Sequence, residues 1–224
     1  MDQIKFLLPE ITLILLSFAL LFNSLIDQID KRITNKILLI IGSLVSIILL
    51  LNENPQGYFL NDTFENNTLT NTIKVLLVSG TLLSLLLISN SKSEQFKNFF
   101  NEYCFLLILS LVGGMIVVSS REFLTMIISF EILSIPIYLI SAMGPNSKKS
   151  IEAATKLFFF GTLSTVFLIF SAVLFYSISG STYINDIAWS TKDSVIVLST
   201  IFLLVTVSFK CALYPFHFWV SDTY

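Results

Sequence analysis

Four side chains in this 224-residue sequence stand where chemistry would be costly to place by accident: Glu131, Lys156, Lys210 and His217. Each lies in or beside a long apolar run, and an ionisable group at the centre of a membrane helix costs at least about 2.5–3.5 kcal/mol. Glu131 falls near the middle of Arg121-Glu-Phe-Leu-Thr-Met-Ile-Ile-Ser-Phe-Glu131-Ile-Leu-Ser-Ile-Pro136. Low dielectric favours the neutral carboxyl and a nearby ammonium favours the charged one, so moving the partner can switch such a group. Pro136 removes a backbone hydrogen bond and loosens the helix close by. The plainer alternative for Glu131 is a protonated carboxyl bonded to a neighbouring helix for packing alone.

Lys156 ends the stretch Ser150-Ile-Glu-Ala-Ala-Thr-Lys156, about two turns into its run. There it could snorkel to the interface, or pair with Glu152 four residues earlier on the same helix face. Lys210 is reached only after about sixteen residues of its run, in Val207-Ser-Phe-Lys210-Cys-Ala-Leu-Tyr-Pro215-Phe-His217-Phe-Trp219. From that depth a lysine does not reach either surface easily, and a desolvated ammonium exchanges its proton readily; a structural ion pair is the alternative. Pro215 predicts a helix break, and broken helices at membrane depth line hydrated cavities and build transport sites. His217, the only histidine, follows the break, and its imidazole changes charge in the physiological range; interfacial packing would explain it equally well. Glu, Lys, Lys and His in series suit a proton relay better than covalent chemistry.

The rest of the composition says what must position these groups. Hydrophobic residues make up 54% and charged residues 12%, against about 25% charged in a soluble domain, and the mean hydropathy is +0.83. Thirteen basic and fifteen acidic side chains cannot coat a water-soluble particle of this size, so the lipid bilayer is the main partner. A net charge of -2 supplies no basic patch, which excludes nucleic acid as a partner. Cys104 and Cys211 match no metal spacing or disulfide framework and read as small buried hydrophobes. There is no Gly-rich phosphate loop, Ser/His/Asp set, haem motif or iron–sulfur spacing, so no cofactor or metal is expected on this chain.

Runs of about 20 apolar residues, enough to cross roughly 30 Å of hydrocarbon, occur near 6–24, 36–52, 73–90, 103–120, 122–143, 154–179 and 194–219. Strand-length alternation is absent, so the expectation is an all-α polytopic membrane protein of about seven transmembrane helices. No linker leaves room for a soluble domain, and residues 1–224 read as one transmembrane domain. The first run is a retained span: Asp2 and Glu10 replace a basic leader, and Pro9 is expected to open the helix. Asn61 and Asn66 sit in sequons but read as plain polar loop residues, and Trp189 and Trp219 as interfacial anchors.

These residues carry a resemblance. Phe130-Glu131-Ile-Leu-Ser-Ile-Pro136, Ser150-Ile-Glu-Ala-Ala-Thr-Lys156 and Phe209-Lys210…Pro215-Phe-His217-Phe-Trp219…Asp222-Thr-Tyr224 resemble, in order and spacing, the antiporter-like proton-translocating subunits of respiratory complex I. The likeness is greatest to subunit 2 of the mitochondrial NADH dehydrogenase and its bacterial N-type counterpart, and Leu8-Pro9-Glu10-Ile11 is similar to the start of that family. The resemblance implies a fourteen-helix fold in two inverted five-helix repeats, of which this chain is the N-terminal half. It places the fifth-helix glutamate on Glu131, the sixth-helix lysine on Lys156, the lysine of the broken seventh helix on Lys210, and the adjoining histidine on His217. It implies a hydrated polar axis along the membrane midplane, driven remotely by quinone reduction in NADH:ubiquinone oxidoreductase. It also implies the other membrane-arm subunits as partners. The family's Pro-Asp-Val-Tyr-Glu-Gly is here Ser221-Asp-Thr-Tyr224 and goes no further. Helices eight to fourteen are then expected on a separate polypeptide, unless the sequence is truncated. Competing readings are a subunit of a multisubunit sodium/proton antiporter, a membrane-bound hydrogenase subunit, or a degenerate scaffold of the membrane arm.

Composition and charge set the expected location and orientation. The 21 Phe and few Gly suggest an AT-rich, often organellar genome, and so the mitochondrial inner membrane, with a bacterial plasma membrane as the alternative. Loops after the first, third and fifth spans hold Lys31, Arg32, Lys36, Lys92, Lys97, Lys148 and Lys149; the opposite side holds Lys5, Lys74, Arg121 and Lys192. This bias predicts an outer N terminus and an inner C terminus. Site-specific labels in the Asn52–Thr72 loop should therefore react from the outer face; reaction from the inner face alone would overturn the orientation.

Overall fold

The computed structural model describes residues 2–26, 32–52, 56–90, 99–144, 147–187 and 194–223. Trp189, Tyr224 and the loop lysines Lys31, Lys92, Lys97 and Lys192 lie outside the described residues. The contacts divide the chain into two compact units, Met1–Ser119 and Ser120–Tyr224. Among the described residues six helices are long and apolar enough to cross a membrane, and a shorter apolar helix covers Ser194–Lys210. The chain is an all-α multi-pass membrane protein. Large apolar side chains such as Leu87, 75% exposed, are at home against acyl chains and not against water.

The first unit contains α1 (Asp2–Ile26), α2 (Arg32–Asn52), a hairpin of β1 (Gly57–Phe59) and β2 (Phe64–Asn66), then α3 (Thr68–Asn90) and α4 (Phe100–Ser119). Both α1 and α3 pack on α4, and α2 packs on α1 and α3. Without a hydrophobic drive between helices in lipid, close approach through small residues does the work. A Cβ added at Gly42 would lie 2.6 Å from Leu16 Cδ2, so only glycine lets α2 sit this near α1. At one end Asn35 bridges the helices: Asn23 Nδ2 donates to its Oδ1 at 3.3 Å, and its own Nδ2 donates to Asn101 Oδ1 at 2.9 Å.

Two local features depart from the expected spans. Pro9 does not open α1, which begins at Asp2 and passes through it. The loop expected over 52–72 holds the hairpin, and α3 starts within it at Thr68. The start is fixed by a reciprocal cap: the Thr70 amide donates to Asn67 Oδ1 and the Asn67 amide to Thr70 Oγ1, each at 2.8 Å, which satisfies two amides the helix leaves free. Lys74 is thereby drawn inside the helix. It is not a loop charge, and the outer-side count above loses it. Its Nζ donates to Glu10 Oε1 at 2.7 Å, with the two side chains 1% and 4% exposed. The Phe6 ring lies 4.7 Å from the same ammonium and stacks on Phe59 of the hairpin at 4.5 Å.

In the second unit α5 (Phe123–Ala142) and α7 (Ser194–Lys210) pack on α6 (Ser147–Ser179), and a short α8 (Phe218–Thr223) returns to α6. With 33 residues α6 is the longest element, about 50 Å at 1.5 Å per residue. Hydroxyls seat α7 against it. Ser164 Oγ donates to the Thr206 carbonyl and Thr206 Oγ1 to the Ser164 carbonyl, both at 3.2 Å, and Ser171 Oγ donates to the Ser199 carbonyl at 2.8 Å. The Phe123 amide at the start of α5 finds a partner in the segment after α6, donating to the Thr182 carbonyl at 3.1 Å. The span expected to continue from 194 to 219 stops at Lys210. There the Cys211, Ala212 and Leu213 amides fold back on the Val207, Phe209 and Ser208 carbonyls, and Ala212 adopts φ +52°. Pro136, by contrast, is buried within a continuous α5.

Removing one partner of a buried ion pair leaves a charge unbonded and costs about 3–5 kcal/mol, whereas replacing both with neutral groups of similar size is close to neutral. Lys74→Met alone should therefore lower accumulation of folded chain in the membrane, and the E10Q/K74M double variant should restore it. Equal accumulation of the single variant and the natural chain would show the pair to be dispensable.

Candidate functional site

The second unit brings two of the four expected residues to one place. Glu131 is half-buried on α5, and Thr165 of α6 donates from Oγ1 to its Oε1 at 2.6 Å. Lys210, the last residue of α7, donates from Nζ to Ser134 Oγ at 2.8 Å. Glu131 and Ser134 are three residues apart on one helix face, so the ammonium is parked one turn from the carboxylate. Neither bonds the other directly. The Phe130 ring, 5.4 Å from Nζ, offers the ammonium a second, non-ionic contact.

The helix ends make this arrangement possible. Because α7 stops at Lys210, the lysine side chain leaves from a helix terminus into a gap instead of lying along a packed face. That gap is a cavity of about 190 Å³ between α5, α6, α7 and α8. Ser134, Tyr138, Ser164 and Lys210 supply its polar walls, and Leu133, Phe160, Phe209 and Trp219 most of the rest. A water needs roughly 10–15 Å³ of such space and two to four polar partners, so several waters fit beside these groups. Tyr138, one turn beyond Ser134 on α5, extends the polar row from Lys210 along the cavity wall. Its hydroxyl occupies the notch at Gly161, which leaves no room for a Cβ there.

The other two residues stand apart from this cavity. Lys156 pairs with Glu152 Oε1 at 2.9 Å, one turn away on α6, and its side chain is 39% exposed. His217 is exposed in the segment between α7 and α8, with its ring 4.9 Å from Phe218 and 5.7 Å from Tyr214. The same segment carries Tyr214 at 85% exposure. Among the described residues no group of three or more His, Cys, Asp or Glu side chains could hold a metal.

Sequence reasoning passed over the neutral members of the site. Ser134 had a usable signal, one turn beyond Glu131. Thr165, thirty-four positions away on another helix, had none. It also passes over Glu10 and Lys74 of the first unit as a pair, although both fall in apolar windows, because Glu10 reads as a leader residue and part of the family's opening motif, and Lys74 as an outer-side charge.

Filling the Gly161 notch tests how tightly the row is set. Gly161→Ala should push the Tyr138 ring aside and lower stability by about 1–3 kcal/mol, the usual cost of overpacking, read as a lower thermal midpoint in detergent. An unchanged midpoint would mean that Tyr138 moves freely.

Comparison with known proteins places this geometry. Residues 120–224 match the family described as NADH:quinone oxidoreductase/Mrp antiporter, transmembrane. The chain is 33% identical over its full length to NADH-quinone oxidoreductase subunit N 2 of Thermodesulfovibrio yellowstonii, and 30% identical to subunit N of Pelagibacter ubique. It covers 49% and 48% of those proteins, and so spans about half the length of the curated relatives it matches. In structure it superposes with a TM-score of 0.78 and 25% identity on a chain of respiratory complex I from Thermus thermophilus, covering 97% of this chain and 47% of that one. The unit that carries Glu131, Lys210 and their cavity is thus the part that matches the transmembrane family of NADH:quinone oxidoreductases and Mrp antiporters, and the chain as a whole is similar to about half of a subunit N.

Proposed function

We propose that this chain is half of a proton-translocating membrane-arm subunit of an NADH:quinone oxidoreductase, one that moves protons without holding a redox centre. The observation that carries the reading is the Glu131–Lys210 arrangement. An acid and a base sit one turn apart, the base lining a cavity that has room for water, and each is held by a neutral hydroxyl instead of by the other. Moving Nζ from Ser134 towards Glu131 would stabilise the carboxylate and favour loss of its proton to a cavity water. Withdrawing it would favour uptake. Thr165 and Ser134 are the resting positions between which the exchange is poised, and Tyr138 carries the row onward.

Lys156 and His217 extend the relay at the ends of this row, as the family resemblance implies, once partners cover them. The apolar face around Tyr214 and Phe218 fits burial against further helices of the family's fold, with the other membrane-arm subunits beyond. The relatives named above are bacterial, which favours a plasma-membrane setting over the mitochondrial inner membrane suggested by composition. Because the matched family spans Mrp antiporters as well, the second reading is a sodium/proton antiporter subunit. Co-purification with NADH-oxidising activity supports the first, and cation-dependent transport without NADH the second.

General acid–base groups contribute about 10²–10⁴-fold to proton-transfer steps. E131Q and K210M should assemble and yet lower proton translocation in inverted vesicles at least tenfold, with coupled NADH–quinone turnover falling alongside. Thr165→Val should produce a smaller loss. A K210M complex that pumps at the normal rate would reduce Lys210 to a structural role.

A further inference from the structure

We propose that the cavity beside Lys210 binds a monovalent anion of the halide class, held by the Lys210 ammonium and the hydroxyls of Ser134 and Tyr138. Lys210 is the one charged residue among those lining this space. Glu131 does not line it, and its Oε1 is taken up by Thr165. Beyond the polar row the walls are Leu133, Leu157, Phe160 and Phe209, which bring no second charge. Seen from inside, the cavity therefore carries a single positive charge in apolar surroundings, where an unanswered charge is costly.

The hydrogen-bonding groups of the wall are donors in need of an acceptor. An ammonium has three hydrogens and no acceptor. Nζ gives one to Ser134 Oγ at 2.8 Å, and the Phe130 ring lies 5.4 Å away. Among the described residues Nζ has no further hydrogen-bond acceptor. Ser141 of the same helix turns its hydroxyl back on the Ile137 carbonyl at 2.9 Å, and Ser164 gives its own to Thr206. Ser134 and Tyr138 make no such backbone bond among the described residues. Water in the cavity would answer these hydrogens and leave the charge; an anion answers both. One positive charge selects a monovalent ion, because a dianion would leave net negative charge against the aromatic walls. At about 190 Å³ the cavity takes a bare halide with a few waters and excludes bulky organic anions. The consequence for transport rests on the proton-transfer reading above: an anion at Nζ keeps the ammonium from moving towards Glu131 and slows the exchange. The site itself does not depend on that reading.

Trp219 lines the same cavity, and bromide quenches indole fluorescence on contact, which supplies the readout. The chain has two tryptophans, so Trp189→Phe leaves Trp219 alone to report. In the full chain in lipid vesicles, sodium bromide replaces sodium gluconate at constant ionic strength. Quenching should rise to a plateau that chloride reverses, whereas collisional quenching has no plateau. In the same background K210M should abolish the plateau. Tyr138→Phe, which removes one donor to a charged acceptor, should raise the half-saturating bromide concentration about tenfold. Quenching without a plateau in the Trp189→Phe chain would overturn the proposal, and this arm needs no further variant to fold. A plateau that K210M and Tyr138→Phe both leave unchanged would put the ion elsewhere and overturn it as well. The quench is read without NADH or a proton gradient, so its outcome is separate from that of the pumping experiment.

Discussion

Every arrangement described here answers one constraint: a charge in hydrocarbon must be held by something polar, and the protein decides whether that is an opposite charge or a neutral dipole. The two units solve it differently. In the first, Lys74 closes directly on Glu10 at 2.7 Å and an aromatic hairpin seals the contact. In the second, Lys210 and Glu131 come within one helical turn and are each given a hydroxyl. A direct pair is stable because neither member gains by leaving. A pair held apart by hydroxyls costs more to maintain and can be rearranged with less. The same chemistry yields a fastener in one place and a movable contact in the other.

The packing that maintains the second arrangement is itself polar. Ser164, Thr206, Ser171 and Ser199 tie α6 and α7 along their length through hydroxyl-to-carbonyl bonds. In a water-soluble bundle apolar burial would fix the register between two such helices. In lipid that drive is absent, and short hydroxyl side chains set both the distance and the register. The position of Lys210 relative to Ser134 follows from that register, because the lysine is the last residue of the helix being seated.

Much of this was legible in the sequence. Apolar runs gave six membrane-crossing helices and a seventh that breaks, and the charge of Glu131 and Lys210 in such runs marked both as residues needing an account. What escaped was long-range or local in a way that hydropathy does not encode. Thr165 reaches Glu131 from another helix, and no spacing announces a contact between residues so far apart. Lys74 counts with the outer-side charges because it stands at the very edge of the apolar run near 73–90, whereas the helix begins earlier, where Asn67 and Thr70 cap it. The hairpin depends on three successive left-handed residues, Leu60, Asn61 and Asp62, and only the last two types favour that conformation.

The early end of α7 has an electrostatic meaning as well as a steric one. An α-helix carries about half an elementary negative charge at its C terminus. Had the helix run on to Trp219, that charge would have lain at the far end of the element. Stopping at Lys210 brings it to the backbone of the lysine, tempered but not cancelled by the turn amides that fold back on the last carbonyls. The interrupted helix thus serves as a fixed partial counter-ion that cannot diffuse away or take up a proton. With that much of the ammonium's field already answered by peptide dipoles, the carboxylate one turn distant is left available to change its own partner.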